Sequence, residues 1–353
     1  MAENTTAFVS TLGGVNQDEL CHSDNRPAQV QVLLEIIFLV IVSLAGTFGN
    51  LLVIIAVAST RSLRTVANYF IFVLAAVDFV NTGLLIPLFI FTLMKGEWPF
   101  PSAGCTLLGY LTIICIATSE ITLSVLAGTR YLIVTKSKTV FNRYFKKKYV
   151  IFYLVGIAAF ELSIILIPLW TSLGKVGFSH RVLHCTFVFC NQTEWWYVFI
   201  LFVCCMIINM GIIPTFYLLT FHAVSKSKRT IKALQAMQGT NERSQPSMSP
   251  QEVQLTKKLL FMFLVFIVCW FPYCIVIFAD SQQTVSPLVH QITNLPIWLA
   301  SCLNPYIYAF RIRNFRKAFK QILTWPGKKC RSQEGRARGG SVTDQFGTSM
   351  ADR

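Results

Sequence analysis

Three ionisable side chains, Asp78, Glu120 and Arg130, stand inside long apolar stretches of this sequence. A charge at mid-depth in a lipid bilayer costs roughly 2.5–3.5 kcal/mol on insertion scales, so each of these groups needs a compensating interaction. A buried carboxyl group can take up a proton or bind a cation, whereas a guanidinium stays charged and donates hydrogen bonds. These three side chains therefore mark positions where we expect a function beyond packing.

The elements that position these groups are long apolar helices. Of the 353 residues, 54% are hydrophobic and only 13% are charged. Crossing a hydrocarbon core of roughly 30 Å takes about 20 apolar residues, far more than the buried strand of a soluble protein contains. Seven such stretches are predicted to be membrane-spanning helices: residues 33–59, 68–91, 103–135, 149–171, 195–221, 255–279 and 288–310. Because helices satisfy their own backbone in lipid, the predicted fold class is an all-α membrane protein, a seven-transmembrane helix bundle.

The basic residues indicate the orientation of the bundle. With the N-terminus outside, the outer segments hold Arg26, Lys95, Lys175 and Arg181, and the other 27 of the 31 Lys and Arg lie in or beside the inner segments. The positive-inside rule then predicts an extracellular N-terminus and a cytoplasmic C-terminus in a multi-pass protein of the plasma membrane. The net charge of +15 accordingly indicates attraction to anionic membrane lipids and not to nucleic acid.

The chain divides into one membrane domain and three short flanking segments. We predict an extracellular tail at 1–32, the seven-helix domain at 33–310, a short amphipathic eighth helix at 311–324 and a cytoplasmic tail at 325–353. Basic and apolar residues alternate at helical spacing in the eighth helix, so we expect it to lie on the inner leaflet. Cys330 follows this helix and is either S-palmitoylated or unmodified. The N-terminal tail lacks the apolar core of a cleavable signal peptide, so the first span is expected to act as the insertion signal.

Two kinds of modification site lie on the predicted outer face. Asn4 and Asn191 each begin an N-glycosylation sequon, which is either used or left empty. The outer compartment is oxidising, so disulfides form there. Four cysteines are expected on that side: Cys21, Cys105, Cys185 and Cys190.

Several motifs occur together in the predicted helices: GN at 49–50, LAAVD at 74–78, Arg-Tyr at 130–131, CWFP at 269–272 and NPYIY at 304–308. In this combination the sequence resembles the rhodopsin-like, or class A, G-protein-coupled receptor family. The resemblance implies a heterotrimeric G protein as partner, an extracellular ligand, and contacts with arrestin, receptor kinases and membrane lipids. It does not imply an enzyme, and the sequence shows no nucleophile elbow or phosphate-binding glycine loop. A transporter or channel with a seven-helix bundle is the alternative from another class.

The resemblance assigns G-protein coupling and switching to one set of residues: Arg130, Tyr131, Glu252, Trp270, Pro272, Asn304, Pro305 and Tyr308. In the family the arginine is held in the resting state and released to meet the G protein. Here Thr129 replaces the usual acidic neighbour, so the restraint on Arg130 is expected to rest on Glu252 alone. Snorkelling of Arg130 to the inner headgroups is the alternative.

Helix six carries the predicted switch. Pro272 removes a backbone donor and kinks this helix. Trp270 is then the side chain whose rearrangement couples the ligand to an outward swing of the inner half, with simple core packing as its alternative role. His222 stands where the family usually has a tyrosine in helix five. It is either a replacement partner for Tyr308 or an exposed histidine at a helix end.

Asp78, Ser119, Ser301 and Asn304 resemble the internal sodium pocket of the family. Carboxylate and hydroxyl oxygens suit a hard cation. The alternative is a protonated Asp78 that is satisfied by neighbouring amides without a metal ion. Glu120 is interpreted as a neutral buried acid, at a position where the family normally has an aliphatic residue. No other cofactor is predicted.

The outer lid follows from the same resemblance. It implies that Cys105 at the top of helix three pairs with Cys185, which pins the second outer loop over the ligand cavity. Cys21 and Cys190 remain, and they either form a second bridge from the N-terminal tail to that loop or stay unpaired.

The cavity lining implied by the resemblance is aromatic and neutral, with basic residues above it: Thr112, Ile116, Arg181, Trp270, Tyr273, Ile277, Asn294 and Trp298. Thr112 stands at the position of the amine-binding aspartate of amine receptors, which disfavours an amine. Trp298 stands at the position of the retinal lysine of visual pigments, so no Schiff base can form. We therefore expect a small lipophilic ligand with a few hydrogen-bonding groups.

Two receptor groups share short segments with this chain. HRVLHCTF and SCLNPYIY are similar to melatonin receptors, whereas IPLW, RYLIV and NLPIWLASCLNP are similar to medium-chain fatty-acid receptors and related invertebrate orphan receptors. A melatonin-like ligand would use the aromatic cavity alone. A fatty acid would need Arg181 or a lid histidine as the partner of its carboxylate.

Overall fold

The computed structural model describes residues 28–135, 192–238, 250–281 and 284–324, and part of the segment 152–188. The described chain is almost entirely helical and forms a bundle. The long helices are α1 (Gln29–Ser59), α2 (66–95), α3 (Ser102–Thr135), α5 (Gln192–Gln238), α6 (Pro250–Ala279) and α7 (Pro287–Arg311). The label α4 is used for Ile167–Trp170, which lies within the partly described segment. A further helical segment follows at 313–324.

Two helices are longer than the apolar pattern predicts. Helix α5 continues to Gln238, well past the predicted end at residue 221, and α6 begins at Pro250 instead of residue 255. The extra part of α5 ends in KALQAMQ, whose residues all have high helix propensity and need no lipid to stay helical. Proline is favoured in the first turn of a helix, which suits Pro250 as the start of α6.

Helix α2 contains an irregular turn near the middle of its length. Its first part, Val66–Val80, and its second part, Ile86–Lys95, are joined by a π-helical turn at Asn81–Leu85. Pro87 lies just after this turn and has no N–H to donate, and wide turns accommodate such a residue and often occur at functional sites. The helix ends at Gly96, whose φ of 72° is left-handed and suits a residue without a side chain.

A β-hairpin covers one end of the bundle, the end that the sequence analysis predicts to face outward. Strand β1 (Lys175–Ser179) pairs antiparallel with β2 (His184–Val188). The hairpin lies directly on α3, because a Cβ on Gly109 would be only 2.4 Å from the side chain of Val176. The predicted disulfide between Cys105 of α3 and Cys185 of β2 is present, with their Cα atoms 5.3 Å apart. The lid is therefore fixed to the third span at this point.

The helices pack in the order that brings α7 next to α1 and α2. Helix α3 packs against both α2 and α5, and α6 packs against α7. The largest fully buried side chains include Phe70, Phe263 and Tyr308. Apolar side chains such as Leu218 and Val268 instead face outward, as expected for a surface in contact with lipid. Four of the described helices are long and apolar enough to cross a membrane: Gln29–Ser59, Asn68–Lys95, Ser102–Ile133 and Leu260–Ala279.

Candidate functional site

The bundle encloses a cavity of about 150 Å³ beneath the β-hairpin. Most of the predicted ligand-pocket residues line it together: Thr112, Ile116, Trp270, Tyr273, Ile277, Asn294 and Trp298. The lining continues inward without interruption to Asp78 and Asn304. One chamber therefore joins the predicted ligand pocket to the predicted sodium pocket.

Arg181 is not part of the cavity wall. Its guanidinium forms an ion pair with Asp280, and His290 donates from Nε2 to the same carboxylate oxygen at 2.7 Å. Asp280 and His290 are both almost fully buried. The prediction that Arg181 lines the pocket is wrong, because the arginine pairs with Asp280 outside the cavity. The sequence analysis did not single out this buried acid.

Asp280 stays ionised in this cluster. Burial alone would raise the pKa of its carboxyl, but the hydrogen bonds from His290 and the Val285 amide and the nearby Arg181 charge outweigh burial and lower it. The sequence signal was available in principle, since Asp280 ends one apolar run and His290 lies near the start of the next. Nothing in the local pattern shows that the two helix ends meet.

His184 of β2 forms the ceiling of the cavity. Asn294 donates to its Nε2 at 2.9 Å, so its Nδ1 carries the proton that is donated to the Cys185 carbonyl at 3.2 Å. Burial lowers the pKa of His184 to about 4, which keeps the imidazole neutral. Its ring meets those of Phe89 and Trp298 edge-on, with centroids 5.0 and 5.5 Å apart. The lid histidine thus contributes hydrogen bonding and no charge.

The inner end of the cavity has the donor set of a small hard cation. Asn304 donates to Asp78 Oδ2 at 2.8 Å, and Ser301 also hydrogen-bonds to Asp78. Among the described residues, the buried Ser119 Oγ and Asn81 Oδ1 have no hydrogen-bond partner. Buried oxygens rarely stay unpaired, so these residues fit a sodium ion.

Glu120 lies in the wall between these two ends. Its side chain is only 4% exposed and is close enough to Cys274 of α6 to interact with it electrostatically. Trp270 lines the same part of the cavity, stacked on Phe266 with ring centroids 5.5 Å apart. Pro272 lies inside α6 just beyond this tryptophan. A ligand in the cavity would therefore lie beside the part of α6 that contains the proline.

Arg130 lies near the inner end of α3 and is only 4% exposed. The hydroxyl of the adjacent Thr129 donates to the Val125 carbonyl of its own helix at 2.7 Å. Thr129 therefore does not take the role of the acidic residue that usually pairs with the arginine in this family. The side chain of Glu252 lies outside the described residues, so its pairing with Arg130 stays a prediction. Tyr217 of α5 is buried and close enough to Arg130 to interact with it electrostatically.

Tyr217 is a residue that the sequence analysis missed. It lies three residues after Pro214, whereas the tyrosine of the family was sought at the position of His222, and the imidazole of His222 is exposed. Tyr217 also interacts electrostatically with Tyr308 of α7. Tyr308 in turn stacks on Phe315 of the segment 313–324, with ring centroids 5.4 Å apart. Tyr131, which the sequence analysis also assigned to G-protein coupling, packs against Phe216.

Five predicted sites lie outside the described residues. They are the sequon asparagines, two outer cysteines and the candidate acylation site: Asn4, Asn191, Cys21, Cys190 and Cys330.

A helical membrane bundle with a lidded cavity and a buried arginine near its inner end has the architecture of a membrane receptor. Residues 49–308 match the family described as 7 transmembrane receptor (rhodopsin family). The chain belongs to this family. It is a multi-pass membrane protein with a seven-helix bundle and a G-protein-coupled receptor of class A.

Similar proteins come from two branches of the family. The chain is 28% identical to melanopsin of Homo sapiens over 293 residues, which cover 81% of this chain but 60% of melanopsin. It is 25% identical to melatonin receptor type 1B-B of Danio rerio over 345 residues, which cover 96% of this chain and 95% of that receptor. A solved structure of squid rhodopsin superimposes with a TM-score of 0.76 at 21% identity, covering 92% of this chain and 95% of the other. The chain thus spans about 60% of the length of the melanopsin but nearly all of the melatonin receptor.

Proposed function

We propose that this receptor binds a compact, largely apolar extracellular ligand in the cavity under the β-hairpin and activates a heterotrimeric G protein through an outward movement of α6. The observation that carries the proposal is the continuity of the cavity. It runs from the lid at His184, past Trp270, to Asp78 and Asn304. Ligand, switch and inner polar network therefore share one space.

The lining argues against two ligand types. Although melanopsins are among the relatives, Trp298 stands where a Schiff-base lysine would be needed, and no lysine lines the cavity in the described part of the chain. A fatty acid would need a positive charge in the cavity, whereas the charge of Arg181 is matched by Asp280, and burial lowers the pKa of the lid histidine His184 to about 4. A ligand with an aromatic or aliphatic body remains, and the full-length match to a melatonin receptor supports this class.

Signal transfer is proposed to pass from Trp270 through the Pro272 kink to the inner half of α6. Movement of that half would expose Arg130, Tyr131 and the Asn304–Tyr308 segment to the G protein on the cytoplasmic side. Asp78, Ser119, Ser301 and Asn304 would hold a sodium ion in the resting state, which supplies positive charge beside the buried carboxylate. The N-terminus would be extracellular, and the cytoplasmic tail would offer contacts for receptor kinases and arrestin.

The test is nucleotide exchange on co-expressed G proteins in membranes, with a panel of compact aromatic and aliphatic ligands. The Gq class should be examined first, since a relative from Mizuhopecten yessoensis, 26% identical over 309 residues, is named a Gq-coupled rhodopsin. The proposal expects ligand-dependent exchange that is lost in Arg130→Ala at equal surface level. Uptake or current driven by a panel member without nucleotide exchange would instead favour a transporter or channel.

A further inference from the structure

The wall of the cavity carries acidic side chains and no strongly basic ones. Within the described residues its charged groups are Asp78 and Glu120, and neither lysine nor arginine lines it. His184 is the histidine of the lining, and its lowered pKa, about 4, keeps it neutral. Arg181 stays outside and faces Asp280. Electrostatics in this cavity therefore favour a positively charged guest over a neutral or negative one.

Glu120 lies deeper than the position where amine receptors carry their aspartate. It follows Thr112 by eight residues of the same helix, which corresponds to roughly 12 Å along the axis. Aromatic side chains of α5 and α6, Phe202, Phe266 and Trp270, line the cavity with it. A cation beside a carboxylate and over aromatic faces is stabilised by both.

Unpaired oxygens in the wall of the cavity also favour a positively charged ligand. Asn81 Oδ1, in a residue 4% exposed, and Ser119 Oγ, in a residue 9% exposed, have no partner within the described part of the chain. Both residues line the cavity, and Ser119 adjoins Glu120 in sequence. Such buried acceptors are satisfied by positive charge or N–H donors, and either the sodium ion or a cationic ligand next to it can supply them.

We propose that the ligand of this receptor carries a protonated amine or amidine on a compact apolar body, and that Glu120 is the residue that pairs with this cation. The proposal rests on the proposed function and names the ligand class of that site. It revises the expectation from Thr112 that an amine is disfavoured, because the acid is moved about two helical turns inward. It also revises the interpretation of Glu120 as a neutral acid, because a bound cation favours the ionised form of a neighbouring carboxyl group. Asp78, with Asn304 and Ser301 as its hydrogen-bond neighbours, is assigned to the sodium ion.

Matched cation and neutral probes test this assignment. Purified full-length receptor in detergent is heated with tryptamine or N-acetyltryptamine, and with phenethylamine or 2-phenylethanol, each up to about 1 mM. We expect at least one amine to raise the unfolding temperature, its neutral partner to do so much less, and Glu120→Gln to weaken the amine by roughly tenfold or more. Glu97→Gln, which removes an exposed acid outside the cavity, should retain the amine effect. Asp78→Asn is measured beside it and reports whether that carboxyl group holds the cation instead.

Several outcomes overturn the proposal. These are a neutral probe that binds as well as its amine, no amine effect on the wild-type receptor, or loss of the amine effect in Asp78→Asn but not in Glu120→Gln. If Glu120→Gln does not fold, Glu120→Asp and Glu120→Ala are measured instead. Amine binding that is undiminished in both variants would count against an ion pair between the amine and Glu120. Nucleotide exchange driven only by neutral ligands would leave the proposed receptor function standing while removing this inference.

Discussion

His290 Nε2 lies 2.7 Å from Asp280 Oδ2, so the start of α7 is tied to the end of α6 at the end of the bundle that the hairpin covers. Arg181 of the hairpin turn pairs with the same carboxylate. The lid and two helices therefore meet at one buried acid. The ring of His290 also meets that of Tyr273, a cavity residue, with centroids 6.3 Å apart. Substitutions in this cluster should therefore change both the stability of the receptor and the position of Tyr273 in the cavity wall.

The first prediction concerns Asp280. Asp280→Asn removes the charge that Arg181 and His290 face, and breaking a buried ion pair typically costs about 3–5 kcal/mol. Because Arg181 is partly exposed, we expect the lower end of that range. The measurement is the unfolding temperature of the purified receptor, with Thr284→Ala in the exposed part of the same loop as the matched control. Equal unfolding temperatures for Asp280→Asn and wild type would show that the cluster does not hold the lid.

The second prediction is that acid opens the lid. In the closed form burial holds the pKa of His184 at about 4, whereas an exposed histidine has the ordinary value of 6.5. Between these pH values the open form binds the proton and the closed form does not. Closure therefore weakens as the pH falls, by about 1.4 kcal/mol per pH unit. The lowered pKa of Asp280 makes its own contribution fully present throughout this window, because that contribution is lost only at lower pH.

Hydrogen exchange of the hairpin amides at pH 7 and pH 5, corrected for the intrinsic rate, measures this opening. We expect protection in β2 to fall by roughly tenfold or more at the lower pH. His184→Gln keeps hydrogen-bonding capacity but cannot be protonated, so its protection should depend little on pH. The same pH response in wild type and His184→Gln would assign the effect to another group.

The sequence predicted those features that repeat along the chain or are fixed by a motif. Apolar length predicted the described long helices, though not the full lengths of α5 and α6, and the motif positions placed Trp270, Tyr273 and Trp298 around one cavity. The sequence did not predict contacts between side chains of two distant segments, such as the contact between Asp280 and His290. The interaction between Tyr217 and Arg130 was not predicted for the same reason, because it depends on how α5 is rotated against α3.

The third prediction is that sodium stabilises the resting receptor through Asp78. A bound ion raises stability only while its ligands are intact, so replacing choline chloride by sodium chloride should raise the wild-type unfolding temperature. In Asp78→Asn the carboxylate is lost and the sodium effect should disappear. Ser119→Ala removes an unpaired hydroxyl and should weaken the effect without abolishing it. A sodium effect that survives unchanged in Asp78→Asn would place the ion elsewhere.

The inner end of α3 has an unusual balance of charges. Arg130 is buried, and the hydroxyl of Thr129 beside it is engaged with Val125 of the same helix. Without an acidic neighbour, the resting state would rest on Glu252 and on polar groups such as Tyr217. A shift of about 1.4 kcal/mol changes a two-state equilibrium tenfold, which is comparable with one charge-assisted hydrogen bond. We therefore expect appreciable signalling without ligand.

The last prediction follows from this balance. Thr129→Asp supplies the missing acid and should lower basal nucleotide exchange several-fold, whereas Glu252→Ala should raise it, both at matched surface level. Thr135→Asp is the matched control, because it adds the same charge at an exposed position of the same helix and should have a much smaller effect. Arg130→Ala should abolish coupling while ligand binding persists, since the arginine does not line the cavity. Basal exchange that is unchanged in both Thr129→Asp and Glu252→Ala would refute the restraint of Arg130 by acids, whereas full coupling by Arg130→Ala would refute its role in meeting the G protein.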